Sequence, residues 1–165
     1  MGTENSQFST TEEAHVRISV GSRFEHIDLV QIVVDDALGR LGLDDDSRHW
    51  VGIAIREAVA NAIKHGNRQD PQKAVDVELA VVADHAVIRI EDRGEGFDPK
   101  AVANPLAPEN LLKPNGRGIF YMKSFMDEIA YSFRPGGGTV LTLRKQLTAT
   151  ESSDNEVDSE RSGDG

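Results

Sequence analysis

Two alternating apolar runs, AVDVELAVV and HAVIRIED, stand almost end to end, with only Ala83 to His85 between them. Period-two alternation predicts strands. So short a connection permits only a hairpin, because a parallel crossover takes a dozen residues or more. Val75, Val77, Leu79 and Val81 then share one face. A second close pair, IAYSF and GTVLTLRKQL, is joined at RPGGG, where glycines supply a turn. Consecutive strands this close argue against a doubly wound parallel sheet.

Helical spacing appears twice before the first hairpin. HIDLVQIVVDDALGRLG sets Ile27, Val30, Val34, Leu38 and Leu41 at three- and four-residue steps. In LDDDSRHWVGIAIREAVANAIKHGN an Asp and Ser cluster predicts a capped start, and Gly66 predicts the end. A short strand, AHVRISVGS, comes first. A long polar loop from Gly94 to about Asn115 leads into a shorter helix, GRGIFYMKSFMDEI. The order β, α, α, β, β, loop, α, β, β implies an α/β two-layer sandwich, with helices covering one face of a mixed, mostly antiparallel sheet.

Composition narrows the function. The 165 residues are 38% hydrophobic, which suits one domain with one core. With no cysteine, disulfides, thiolate metal sites and thiol nucleophiles are excluded. A net charge of −10 argues against direct nucleic-acid binding, which rests on clustered Lys and Arg. The first residues carry no basic n-region and no apolar h-region, and no apolar run reaches membrane-spanning length, so no membrane contact and a cytoplasmic location are expected. Residues 148–165 are mostly Ser, Asp, Glu and Gly, and read as a disordered acidic tail that leaves the remainder near −5. Residues 1–13 read as a flexible N-terminus, and 14–147 as the domain.

Polar residues interrupt the apolar faces at four places. On the second helix Trp50, Ala54, Glu57, Asn61 and His65 make one strip beside the apolar face of Val51, Ile55, Ala58, Val59 and Ala62. Glu57 and Asn61 either edge a groove or serve as a base and an oxygen ligand for a hard cation such as Mg²⁺. Asp92 falls on the inward parity of Ala86, Ile88 and Ile90, where a carboxylate needs donors from protein, water or ligand. It either caps the turn at Gly94 and Gly96 or meets a ligand. Thr139 shares the inward parity of Leu141 and Leu143, where a β-branched residue also packs well. Finally, Gly116 and Gly118 open a helix, whose free amides suit phosphate, although such a pair also makes an ordinary turn.

Taken in order, EAVANAIKHG, EDRGEGFDP, NGRGIFYMKSFMDEI and GGGT resemble the GHKL superfamily of ATPases and kinases, with its N box, two glycine boxes and final Thr. The form of the N box, the FDP ending and the MDE after the third helix resemble the anti-sigma-factor serine kinases of bacteria. The resemblance spans about Ala14 to Leu147 and implies a Bergerat-type ATP-binding fold. It implies that Asn61 is a Mg²⁺ ligand, that Glu57 orients or deprotonates the attacking hydroxyl, and that Asp92 receives the adenine amino group. Gly94 and Gly96 would let the backbone approach the nucleotide, Gly116 and Gly118 would place amides by the phosphates, Thr139 would help hold the base, and His65 would end the N-box helix beside the site.

Two departures stand out. Arg117 occupies the position between the glycines where many relatives have an aliphatic residue, and it faces either phosphate or water. The loop from Asn104 to Asn115 is short for an ATP lid, and its Lys113 is either a lid contact or a solvated lysine. The implied activity is ATP-dependent phosphorylation of an anti-anti-sigma (STAS-like) partner by a protein serine/threonine kinase that also binds a sigma factor, with homodimerisation common in the family. The alternatives are an ATP-binding regulatory module without kinase activity and a switch kinase that activates a phosphatase.

Overall fold

The structure is a computed structural model that describes residues 13–95 and 117–147. The two expected tails apart from Glu13, together with Gly96, Lys113, Gly116 and the side chain of Arg117, lie outside what it describes. Within it, the elements are β1 (Glu13–Gly21), α1 (His26–Arg40), α2 (Asp45–Asn61), β2 (Ala74–Val82), β3 (His85–Glu91), α3 (Arg117–Phe125), β4 (Glu128–Phe133) and β5 (Thr139–Gln146). That is the order the sequence predicts. No helix among the described residues is long and apolar enough to cross a membrane.

The sheet runs β1-β2-β3-β5-β4, and each described pairing is antiparallel, so it lies at the antiparallel extreme of the mixed sheet expected. Val82 pairs with His85, which tightens the β2–β3 connection to Ala83 and Asp84, with Ala83 in the left-handed region at φ 54. The alternation of each strand decides which side faces the helices. Leu79, Ile88, Ile90 and Leu143, none more than 2% exposed, point into the core; burying one such side chain stabilises by roughly 1.5–3 kcal/mol.

The helices supply the other layer. α1 buries Ile27, Val30, Val34, Ala37 and Leu38. α2 starts where Asp44 accepts the Ser47 amide at 2.9 Å, and it buries Val51, Ala54, Ile55, Ala58 and Val59. Beyond Asn61 the chain widens into one π-helical turn, Ala62–Gly66. α3 packs along α2 in the opposite sense. Phe125, at its end, stacks on Trp50 with ring centroids 4.1 Å apart, while Gly118, near its start, meets Glu57. The far face of the sheet is instead a lattice of ion pairs, among them Arg93–Asp76 at 2.6 Å and Arg134–Glu91 at 2.7 Å.

Candidate functional site

The register of β3 on β5 explains why Asp92 and Thr139, 47 residues apart, are neighbours. Ile90 pairs with Leu141 and Glu91 with Val140, so the next step of the ladder joins the Asp92 amide to the Thr139 carbonyl at 3.0 Å. The Asp92 side chain is 6% exposed, on the inward side that parity assigned. Its Oδ1 accepts the amides of Gly94 at 3.0 Å and Thr139 at 3.2 Å. The turn-capping reading of Asp92 is thus correct as far as Gly94. Burial pushes its pKa above the usual carboxylate value, against the opposing pull of those two amides and of Lys73.

Glycines surround this carboxylate. A side chain at Gly66 would overlap the Asp92 carboxylate, and one at Gly94 would overlap the Gly66 carbonyl. One at Gly138 would come to 2.6 Å from the Asp92 carbonyl oxygen, and one at Gly137 to 2.7 Å from that of Gly94. Gly66 ends the helical run, as expected, as the last residue of the π turn, but without a left-handed φ of its own. The positive φ angles beyond α2 belong to Arg68 (52°) and Gln69 (58°), and Gly66 is small because Asp92 packs on it.

Glu57 and Asn61 sit on the last turns of α2, both partly buried. The strip expected from helical spacing continues as far as Asn61; His65 falls within the wider π turn and is exposed. Such turns recur at functional sites. The Glu57 carboxylate lies so close to Gly118 that any side chain there would strike it, with Cδ 3.1 Å from the position a Cβ would take. Because α3 has no acidic residue in its own first turn, Glu57 brings a carboxylate to that helix start from α2.

One residue escaped the sequence reading. Asn67, 1% exposed, donates from Nδ2 to Ser22 Oγ at 2.8 Å and to the Ala74 carbonyl at 2.9 Å, and its Oδ1 accepts the Arg93 amide at 2.7 Å. The buried polar residues among those described are Ser22, Asn67, Asp92 and Thr139. Hydrogen bonds join Ser22 to Asn67, Asn67 to Arg93, and Thr139 to Asp92, so they form one continuous patch at one end of the sheet. Polar groups are costly inside a core unless satisfied, so their confinement to one place marks it as the candidate site. In chemical terms that patch offers a buried acceptor at Asp92, while the end of α2 presents an amide oxygen at Asn61 and, beside the start of α3, a carboxylate at Glu57.

Comparison with known proteins identifies the family. Residues 20–145 match the model of the family described as the histidine kinase-like ATPase domain. Curated relatives include the serine-protein kinase RsbW of Oceanobacillus iheyensis, 23% identical over 87% of this chain and 93% of that protein. The serine-protein kinases RsbW of Staphylococcus aureus and Staphylococcus epidermidis are each 27% identical. The first alignment covers 76% of this chain and 84% of the relative, the second 82% and 88%. The match takes in the three described α-helices, the strand that leads into Asp92 and the start of the strand that opens on Thr139, and on that extent the chain belongs to the histidine kinase-like ATPase domain family.

Proposed function

We propose that this chain is an ATP-dependent protein serine/threonine kinase that acts as an anti-sigma factor, phosphorylating a STAS-like anti-anti-sigma partner and binding a sigma factor. The observation that carries the reading is Glu57 from α2 held against Gly118 at the start of α3. That contact sets a carboxylate beside a helix end whose free amides suit phosphate. Similarity to kinases named for serine supports the choice of acceptor.

The residues fit a purine nucleotide. Asp92 offers a buried carboxylate to an exocyclic amino group, and the glycines at 66, 94, 137 and 138 keep the surrounding backbone bare. Thr139 adds a hydroxyl beside it. No cluster of three His, Cys, Asp or Glu suited to a metal lies among the described residues. A magnesium ion would be held by Asn61 with phosphate and water oxygens, and it would supply neutralisation of charge on the transferring phosphoryl group. Glu57 accepts the proton of the serine hydroxyl, or orients that hydroxyl for attack.

The test is incubation with labelled Mg-ATP and each candidate STAS-domain protein, followed by phosphosite mapping. Label on a serine or threonine is expected. Glu57→Ala should bind nucleotide and lose transfer, and Asn61→Ala should weaken Mg-ATP binding. Bound ATP with no label on any candidate would favour the regulatory-module reading, and transfer by Glu57→Ala at the parent rate would overturn the role given to Glu57.

A further inference from the structure

Asn67 is tied to the Asp92 loop more directly than to anything catalytic. Its Oδ1 accepts the amide of Arg93, the residue between Asp92 and Gly94, at 2.7 Å. Its Nδ2 is anchored on the far side by Ser22 Oγ at 2.8 Å and by the carbonyls of Ala74 at 2.9 Å and Lys73 at 3.5 Å. Ser22 Oγ in turn donates to the Lys73 carbonyl. The side chain therefore clamps the peptide after Asp92 to the end of β1 and the start of β2.

The residue before it works on the same loop, because the Gly66 carbonyl lies against the α-carbon of Gly94. Two successive residues beyond α2 thus fix both sides of the turn that aims the Asp92 carboxylate. A buried side chain with both ends bonded is stiff, since any rotation leaves a donor or acceptor unpaired at about 1–3 kcal/mol.

We infer that Asn67 is a positioning residue for base selectivity: by holding the Arg93 amide it sets the direction of the Asp92 carboxylate, and so the preference for a purine with a 6-amino group. The inference rests on the proposed adenine site. It differs from a structural role, because it concerns the ratio of two affinities and not the amount of folded protein.

The test titrates full-length parent, Asn67→Ala, Asn67→Asp and Ser22→Ala with Mg-ATP and with Mg-purine riboside triphosphate, which lacks the amino group. The parent should prefer ATP. Asn67→Ala should reduce that preference by about tenfold, the equivalent of one good hydrogen bond. Asn67→Asp keeps an acceptor for the Arg93 amide and should recover part of it. Ser22→Ala removes one of the three anchors of Nδ2 without touching that amide and should lower the ratio less than Asn67→Ala does.

An Asn67→Ala protein with the parent ratio overturns the inference, as does a Ser22→Ala protein whose ratio falls equally. A parent without any preference for ATP sinks the adenine site itself, and the inference with it. If Asn67→Ala does not fold, hydrogen exchange at the Arg93 amide of the parent decides: slow exchange supports the clamp, and exchange at the rate of an open loop overturns it.

Discussion

Gly66→Ala sets two effects of opposite sign against each other. By helix propensity alone alanine is the better residue, by about 1 kcal/mol, and no left-handed φ at Gly66 opposes the change. Packing opposes it. The new Cβ would stand 2.8 Å from Asp92 Cβ and closer still to the carboxylate. That carboxylate cannot swing aside freely, because Oδ1 holds the amides of Gly94 and Thr139. Relief requires breaking those bonds or moving the helix end, and forced overpacking of this kind costs about 1–3 kcal/mol, with about 1.5–3 more for each charged hydrogen bond lost. The clash wins, with net destabilisation of roughly 1–3 kcal/mol after partial relaxation and at least about tenfold weaker ATP binding. Urea unfolding and titration calorimetry would measure both. Repeating the substitution in an Asp92→Gly background isolates the cause; Asp92→Ala does not serve, since its Cβ still collides. There, Gly66→Ala should become neutral or stabilising. A single Gly66→Ala protein as stable as the parent, with unchanged ATP affinity, would refute the reasoning.

Asp92→Asn should keep the two amide contacts through its own Oδ1 but weaken ATP binding by about 1–3 kcal/mol, the value of a charged hydrogen bond; unchanged affinity by calorimetry counts against the adenine contact. The same variant gives a test by pH. Burial raises the folded-state pKa of Asp92 above 3.8, so the folded chain holds this proton more tightly than the unfolded one. Its stabilising contribution is then complete below the unfolded value and is lost as pH rises through the folded one. The stability of Asp92→Asn relative to the parent, measured from about pH 4 to about pH 7, should therefore rise, and a falling difference would contradict the assigned direction. Gly138→Ala, at φ 104 with the Asp92 carbonyl 2.6 Å from any Cβ, should lower stability by about 1–3 kcal/mol in thermal unfolding, and an unchanged midpoint would mean that the turn relaxes freely.

Local periodicity carried most of the architecture. Inward parity placed Asp92 and Thr139, and helical spacing placed Glu57 and Asn61 on one strip, because side-chain direction in a regular element follows from position alone. Where regularity stops, so does legibility. The π turn at Ala62–Gly66 takes His65 out of the 3.6-residue pattern, and nothing in AIKHG announces a wider turn. Asn67 reads locally as an ordinary residue after a helix, and only the approach of β1, β2 and the Arg93 loop gives it four bonded neighbours. The small size of Gly66 is dictated by an acid 26 residues further on. A sequence suggests that a glycine suits a helix end, and it does not reveal what will be packed on top.

The stack of Trp50 on Phe125 has an optical consequence. This is the chain's one tryptophan, 41% exposed, on the same pair of helices as the Glu57–Gly118 contact. Seven residues separate the two points along either helix, about 10 Å at 1.5 Å per residue. Any slide or tilt of α3 against α2 changes the overlap of the rings and the access of water to the indole. Emission colour and iodide quenching of the unlabelled protein thereby become a gauge of how the helix beside Glu57 is seated, readable from one indole when it is excited to the red of tyrosine absorption.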